Sequence, residues 1–278
     1  MKTTIHILAT AAVFVLFTAC QDWLDMPSES KADSSSIFAT INRAEMTVVG
    51  ASPFLHTQEL GYQLLMGTDE SSSTESNSKY VMSNYDYTNL TGMLNSTYTT
   101  MYKAIEYANV CISNLPNMKA STDAEQKKID ALLGESLAIR AYAFWNLVRF
   151  FGDVPFALEP TAQLTTFSSS RVSRDTIWDQ CVTDLQQAIE LLPWKSEGMV
   201  ATAERFTKNS AYGILARVAL HAAGYSLRWD LNSVPYNKST VKIAKRNDPA
   251  RIRELLQIAA DAAEAVIDRM IRYSETWH

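Results

Sequence analysis

The stretch Leu132 to Phe156, LLGESLAIRAYAFWNLVRFFGDVPF, decides the fold. Its apolar residues recur at Leu133, Leu137, Ala141, Phe144, Val148 and Phe151. Steps of three and four place one apolar stripe along an α-helix. Gly152 can take the left-handed cap conformation and Pro155 forbids continuation, so the helix ends at Phe151. Phe144, Trp145 and Val148 are therefore expected near the centre of a helical body.

Outward from this helix the same period recurs and strand patterns are scarce. The spacing predicts a short helix over 36–50, a pair over 95–115 and 124–151, a second pair over 173–192 and 207–223, and a further helix from 249 to 270. Ser173 and Thr207 are suited to N-caps. Asp248 is a cap followed by Pro249, the residue best suited to a first helical turn. Trp178 is expected to pack against a neighbouring helix. Pairs of this kind bury their stripes against neighbouring pairs, which is the logic of helical-repeat stacking. The fold class read here is all-α with long irregular loops.

The chain has 278 residues, 47% hydrophobic and 10% aromatic, enough to bury a substantial core. A net charge of -5 argues against nucleic acid as partner. At the N-terminus, Lys2 precedes an apolar run from Ile5 to Phe17, too short and interrupted to span a bilayer but suited to a signal-peptide core. Phe17-Thr18-Ala19-Cys20 then has the form of a lipobox. Residues 1–19 are read as a lipoprotein signal peptide and Cys20 as the site of lipid attachment. An ordinary cleaved peptide and a membrane anchor are the competing readings. The other two cysteines, Cys111 and Cys181, fall near helical core positions. Buried free thiols are the plainer reading, and a disulfide stays open because sequence alone does not show the close approach it needs.

Four segments, in order, carry a resemblance. The first is Met101 to Leu115, with Tyr102, Ile105, Ala108 and Asn109. The second is the opening stretch, with Gly134-Glu135-Ser136, Arg140-Ala141-Tyr142, Leu147-Val148-Arg149 and Phe151-Gly152-Asp153-Val154-Pro155. The third is VSRDTIWDQCVTDLQQAIELLP, Val172 to Pro193, with Cys181-Val182 where an aliphatic residue is usual. The fourth is RFTKNSAYGILARVALHAAG, Arg205 to Gly224. Together they resemble the N-terminal part of the SusD/RagB family, surface nutrient-uptake lipoproteins of the Bacteroidetes outer membrane.

The resemblance implies a tetratricopeptide-type helical scaffold over 20–278. It is not read from periodicity, since the Trp-x-x-Leu-Gly signature and a strict period of about 34 residues are absent. It also implies a non-enzymatic protein that needs no cofactor, binds oligo- or polysaccharide and delivers it to a SusC-like TonB-dependent transporter. The lipid on Cys20 would anchor it to the outer membrane, facing outward, with Asp22 and Asp25 resembling the acidic export signal of such lipoproteins. Members of the family run longer than this chain, so the helical domain is expected to be incomplete and truncated at its C-terminus. Leu255, Ile258, Ala262 and Ile267 are then expected to lack cover and form an exposed patch.

Ligand chemistry is sought in the segments between helices. Residues 67–94, GTDESSSTESNSKYVMSNYDYTNLTGML, hold Tyr80, Tyr85 and Tyr87 in a Ser/Asn-rich run. Aromatic faces take the C–H side of a sugar ring while polar side chains take its hydroxyls. A surface loop pinned by its tyrosines is the bland alternative. Tyr225 to Asn247, with Arg228, Trp229 and Tyr236, is the second candidate. The ligand set read from sequence is Tyr80, Tyr85, Tyr87 and Trp229.

Catalytic patterns are poor. The histidines at 6, 56, 221 and 278 form no His-x-x-x-His pair, so no metal site is read. Ser76-Asn77-Ser78-Lys79 lacks its companion motifs, and Gly134-Glu135-Ser136-Leu137-Ala138 lies inside a helical pattern. Asp69-Glu70 reads as solvated acids. Two other classes stay in view: the same scaffold binding peptides or another nutrient, and a secreted hydrolase.

Overall fold

The computed structural model describes residues 34–57, 60, 68–70, 87–88, 91–166, 170–197, 205–229 and 238–275. By compactness the chain divides into Met1–Ile37, of which one helical turn, Ser34–Ile37, is described, and Phe38–His278, which holds everything below. Cys20, Tyr80, Tyr85 and Tyr236 lie outside the described residues.

Six longer helices make up the second unit among the described residues: α1 Ile41–Ala51, α2 Gly92–Asn114, α3 Asp123–Phe151, α4 Arg174–Leu191, α5 Lys208–Ala223 and α6 Pro249–Glu275. Each packs chiefly on its neighbour in sequence, α2 on α3, α3 on α4, α4 on α5 and α5 on α6. This is the paired, stacked arrangement expected of the scaffold. Two small antiparallel ribbons interrupt it. β1 (Val154–Pro155) pairs with β2 (Arg171–Val172), and β3 (Ser226–Arg228) pairs with β4 (Lys242–Ala244), with Leu227 opposite Ile243.

The ends of the helices follow from local chemistry. Thr122 Oγ1 accepts from Glu125 N at 3.2 Å while Glu125 Oε2 accepts from Ser121 N at 2.7 Å, so two otherwise orphaned donors are satisfied where α3 begins. Ser173 accepts from Asp175 N, Thr207 N donates to Ser210 Oγ at 2.7 Å, and Asp248 Oδ1 accepts from Arg251 N at 3.0 Å. At the end of α3, Gly152 has φ 73° and ψ -124°. That is positive φ, as the sequence requires, but not the left-handed helical basin.

The core differs from the single stripe that the sequence suggested for α3. Phe144 is 1% exposed, and Trp145, Val148 and Trp178 are buried as expected. Yet Gly134 through Ala141 are buried without a gap, because helices cover α3 on several sides. Gly134 permits the closest approach: a Cβ there would lie 3.0 Å from Leu191 Cβ and Leu192 Cγ at the end of α4.

The polar residues inside α3 survive burial by pairing. Arg140 donates from Nε and Nη2 to the two carboxylate oxygens of Asp184 at 2.7 and 2.8 Å, and from Nη1 to Asn109 Oδ1 at 3.1 Å. Asn109 Nδ2 in turn donates to the carbonyls of Ala157 and Glu159, both at 3.2 Å. Glu135 accepts from Arg205 Nε at 2.8 Å, and Arg205 Nη1 reaches Glu45 at 3.0 Å. The signature residues that carried the resemblance are thus the cross-ties between α1, α2, α3 and α4.

The apolar stripe of α6 requires a correction. Leu255 and Ala262 are buried and Ile258 is half-buried, because α5 covers that face. Arg246 and Arg251 also bind the Asp179 carboxylate of α4 at 2.6 and 3.1 Å. Ile267 alone of the four is exposed, at 56%, beside Met270 and Ile271. Cys111 and Cys181 are buried free thiols; burial pushes the Cys111 thiol up to about 12 and Cys181 well above its ordinary value, which leaves both unreactive.

Candidate ligand-binding cavity

The Gly-Asp-Val-Pro stop builds the site. Leaving α3 at Gly152, the chain buries the Asp153 carboxylate, which accepts from Arg174 N at 2.8 Å and Arg174 Nε at 2.9 Å. Arg174 is thereby fixed at the start of α4. Its guanidinium lies 5.0 Å from the centre of the Trp229 ring, a cation–π distance. A Cβ on Gly152 would meet the Arg174 guanidinium and come within 3.0 Å of Trp229 Cη2. Only glycine lets these two side chains close over the turn.

Trp229 is also held from behind. Its neighbour Arg228 forms a two-point ion pair with Asp175 at 2.7 and 2.8 Å and donates from Nε to Ala244 O at 3.0 Å, tying β3 to α4 and β4. Arg228, a sequence candidate, is spent on this structural role.

In front of Trp229 opens a cavity of about 480 Å³ between the end of α3, the start of α4 and β3. Tyr87 and Trp229, two of the four ligand residues read from sequence, both line it. Tyr225, 71% exposed, and Tyr87, 48% exposed, stand at its mouth. Trp178 Nε1 and Ser226 Oγ belong to lining residues and are buried without a hydrogen-bond partner among the described residues. Buried orphan donors are costly unless something fills them.

The cavity has a basic edge. Arg149 lines it, lies 4.6 Å from the Trp145 ring centre, and donates from Nη1 to Asn146 Oδ1 at 3.0 Å. Arg217 approaches the same ring at 5.3 Å. Trp145 Nε1 donates to His221 Nδ1 at 2.7 Å. Burial, then the charges of Arg149 and Arg217, hold the His221 imidazole below its ordinary value. Burial and the neighbouring Arg217 likewise lower Arg149. Among the described residues no Asp or Glu lines the cavity. A second cavity of about 500 Å³ is also lined by Trp229, together with Asp175, Lys242 and Lys245.

The depressed imidazole has a testable consequence. The unfolded chain takes up the His221 proton from about 6.5 downward and the folded chain only at lower pH, so the unfolded state binds more protons and stability falls as pH drops from there. Glu45 is held low by Lys128 and then Arg205. For Asp179, Arg246 and Arg251 together outweigh the raising effect of burial. Their contributions are lost only below 4.5 and 3.8. Urea midpoints between pH 7 and about 5 should therefore fall for the parent chain. They should fall less for His221→Gln, which keeps an acceptor for Trp145; an identical slope would show that His221 does not titrate with folding.

Sequence reading missed Arg149, Trp178, His221 and Ser226. The first two sat in motifs read as packing. Tyr225 began the second candidate segment but was not singled out.

With this geometry in view, the comparisons place the chain. A family described as starch-binding and associating with the outer membrane, the SusD-like family, matches residues 22–220. The chain belongs to that family. The SusD-like protein P25 of Formosa agariphila is 33% identical over 95 residues, 34% of this chain and 18% of that protein. The crystal structure of a SusD homologue from Bacteroides thetaiotaomicron superimposes with a TM-score of 0.64 at 18% identity, over 87% of this chain and 43% of that one. A laminarin-binding SusD-like protein does so with a TM-score of 0.55 at 23% identity, over 66% of this chain and 40% of that one. The chain thus spans less than half of each of these relatives.

Proposed function

We propose that this chain belongs to a surface-exposed outer-membrane lipoprotein, anchored through Cys20, that binds glycans and delivers them to a SusC-like TonB-dependent transporter without chemical turnover. Residues 1–19 serve as its signal peptide and 20–278 as its helical scaffold. Family membership supports the carbohydrate and outer-membrane parts of this reading. One observation carries it to a site: exposed aromatic rings stand over a cavity that also holds unpartnered buried donors. Tyr87, Tyr225 and Trp229 offer faces for the C–H side of sugar rings, and Trp178 Nε1 and Ser226 Oγ offer partners for hydroxyls. Tyr80 and Tyr85 belong to the same proposed set.

Affinity should then depend on rings. Each ring removed is expected to cost on the order of 1 kcal/mol, small for one contact and decisive when a polymer engages several. Affinity electrophoresis against a glycan panel tests this with Tyr80, Tyr85, Tyr87, Tyr225 and Trp229 replaced by Ala, singly and together. Unchanged retardation of the combined variant would exclude these residues as the site. Capture of peptides with no glycan bound would transfer the scaffold to peptide uptake.

A further inference from the structure

The charge around the cavity contradicts the charge of the chain. The whole sequence carries -5, yet among the described residues the cavity is lined by Arg149, Arg174 and His221 and by no acid. Arg174 is neutralised by Asp153. Arg149 is not: its polar contact among the described residues is the neutral Asn146 amide, and its other neighbour is the Trp145 ring. Arg217, exposed against the same ring, faces no carboxylate among the described residues and adds a second positive charge to the edge. A guanidinium partly removed from water and without a counter-ion is an unfavourable arrangement unless an anion completes it.

His221 strengthens the case by its hydrogen bond. Its Nδ1 accepts from Trp145 Nε1, so the neutral ring carries its proton on Nε2, a further donor. Arg149 has spare N–H groups in a planar fork matched to two oxygens of one anionic group. Both side chains line the cavity that Trp229 and Tyr225 also line.

We propose that this cavity selects an acidic saccharide, its carboxylate or sulfate ester held by Arg149 with His221 beside it, Arg217 strengthening the field and the Tyr225 and Trp229 rings taking the sugar. The proposal rests on the glycan-binding reading above and names the class of glycan. Neutral sugars of the same shape leave Arg149 without its counter-ion and bind less well.

Isothermal titration with matched pairs separates charge from ring. Trigalacturonate is compared with its fully methyl-esterified form, and a sulfated galactose disaccharide with its desulfated form. At least one acidic member should bind about tenfold or more tighter than its neutral partner, and the advantage should shrink as salt rises. Which pair shows it identifies the anionic group. Arg149→Gln should remove most of that preference, and Arg149→Lys should restore part of it. Arg217→Gln, at an exposed position where folding is not at risk, should weaken the acidic member more than the neutral one. Equal binding of acidic and neutral members, with neutral binding lost in Trp229→Ala, would overturn this proposal and leave glycan binding standing. No saccharide bound at all would overturn both.

Discussion

Replacing Arg140 by Met should lower the stability of the second unit by about 3–5 kcal/mol, the cost of stripping one partner from a buried ion pair. Both side chains are almost fully buried, at 6% and 1% exposure, and Asp184 receives two of the Arg140 donors. With Arg140 gone, Asp184 keeps, among the described residues, only the side-chain donor Gln180 Nε2 at 2.8 Å. Asn109 loses a donor as well, and with it part of its grip on the Ala157–Glu159 carbonyls. Urea unfolding reads the effect as a lower midpoint at an unchanged slope. The double variant Arg140→Met with Asp184→Leu should recover much of the loss, because it buries no charge. A single variant that costs under about 1 kcal/mol would mean the pair is solvated in the folded state.

Those same residues explain what the sequence could and could not reveal. The helices were legible because apolar spacing, Thr and Ser caps and the Gly152–Pro155 stop all agree, and α3 runs Asp123–Phe151 where 124–151 was expected. Burial around α3 was not legible. Glu135 and Arg140 score as polar in any periodic reading, and only their partners, distant in sequence, make them interior. The α6 stripe failed for the complementary reason. Periodicity marks an apolar face without saying what covers it, and here α5 covers Leu255 and Ala262 but not Ile267.

The candidate cavity was legible where a residue type was out of place. Trp229 in a polar connection and Tyr87 at the end of a Ser/Asn-rich run are large rings with no helical period to claim them, and both line the cavity. Arg149 and Trp178 carry the same letters as residues that merely pack. Their difference lies in what the described residues withhold: a carboxylate from Arg149 and an acceptor from Trp178 Nε1. An absent partner leaves no trace in a sequence.

Phe144→Ala should be the other severe change, lowering stability by about 3–5 kcal/mol. Its ring is buried in the middle of α3 and lies 5.0 Å, centre to centre, from the Phe156 ring. Phe156 sits in a segment whose backbone is already tied down. Tyr102 donates its hydroxyl to Pro155 O at 2.6 Å, and Asn109 holds the carbonyls of Ala157 and Glu159. A segment anchored on both sides of Phe156 cannot collapse into the space that the lost ring leaves, so the cavity term adds to the transfer term. Phe144→Leu, which fills most of that space, should cost less than about 1.5 kcal/mol. The proposed glycan site gives an independent readout, since the Gly152 turn and the Asp153–Arg174 pair that carry Trp229 follow directly from the end of α3. At temperatures where Phe144→Ala remains folded, its saccharide affinity should stay close to that of the parent, because the Asp153–Arg174 pair fixes the turn without help from Phe144. A loss of affinity equal to that of Trp229→Ala, in protein that circular dichroism shows to be folded, would mean that the packing of α3 and the position of Trp229 are coupled.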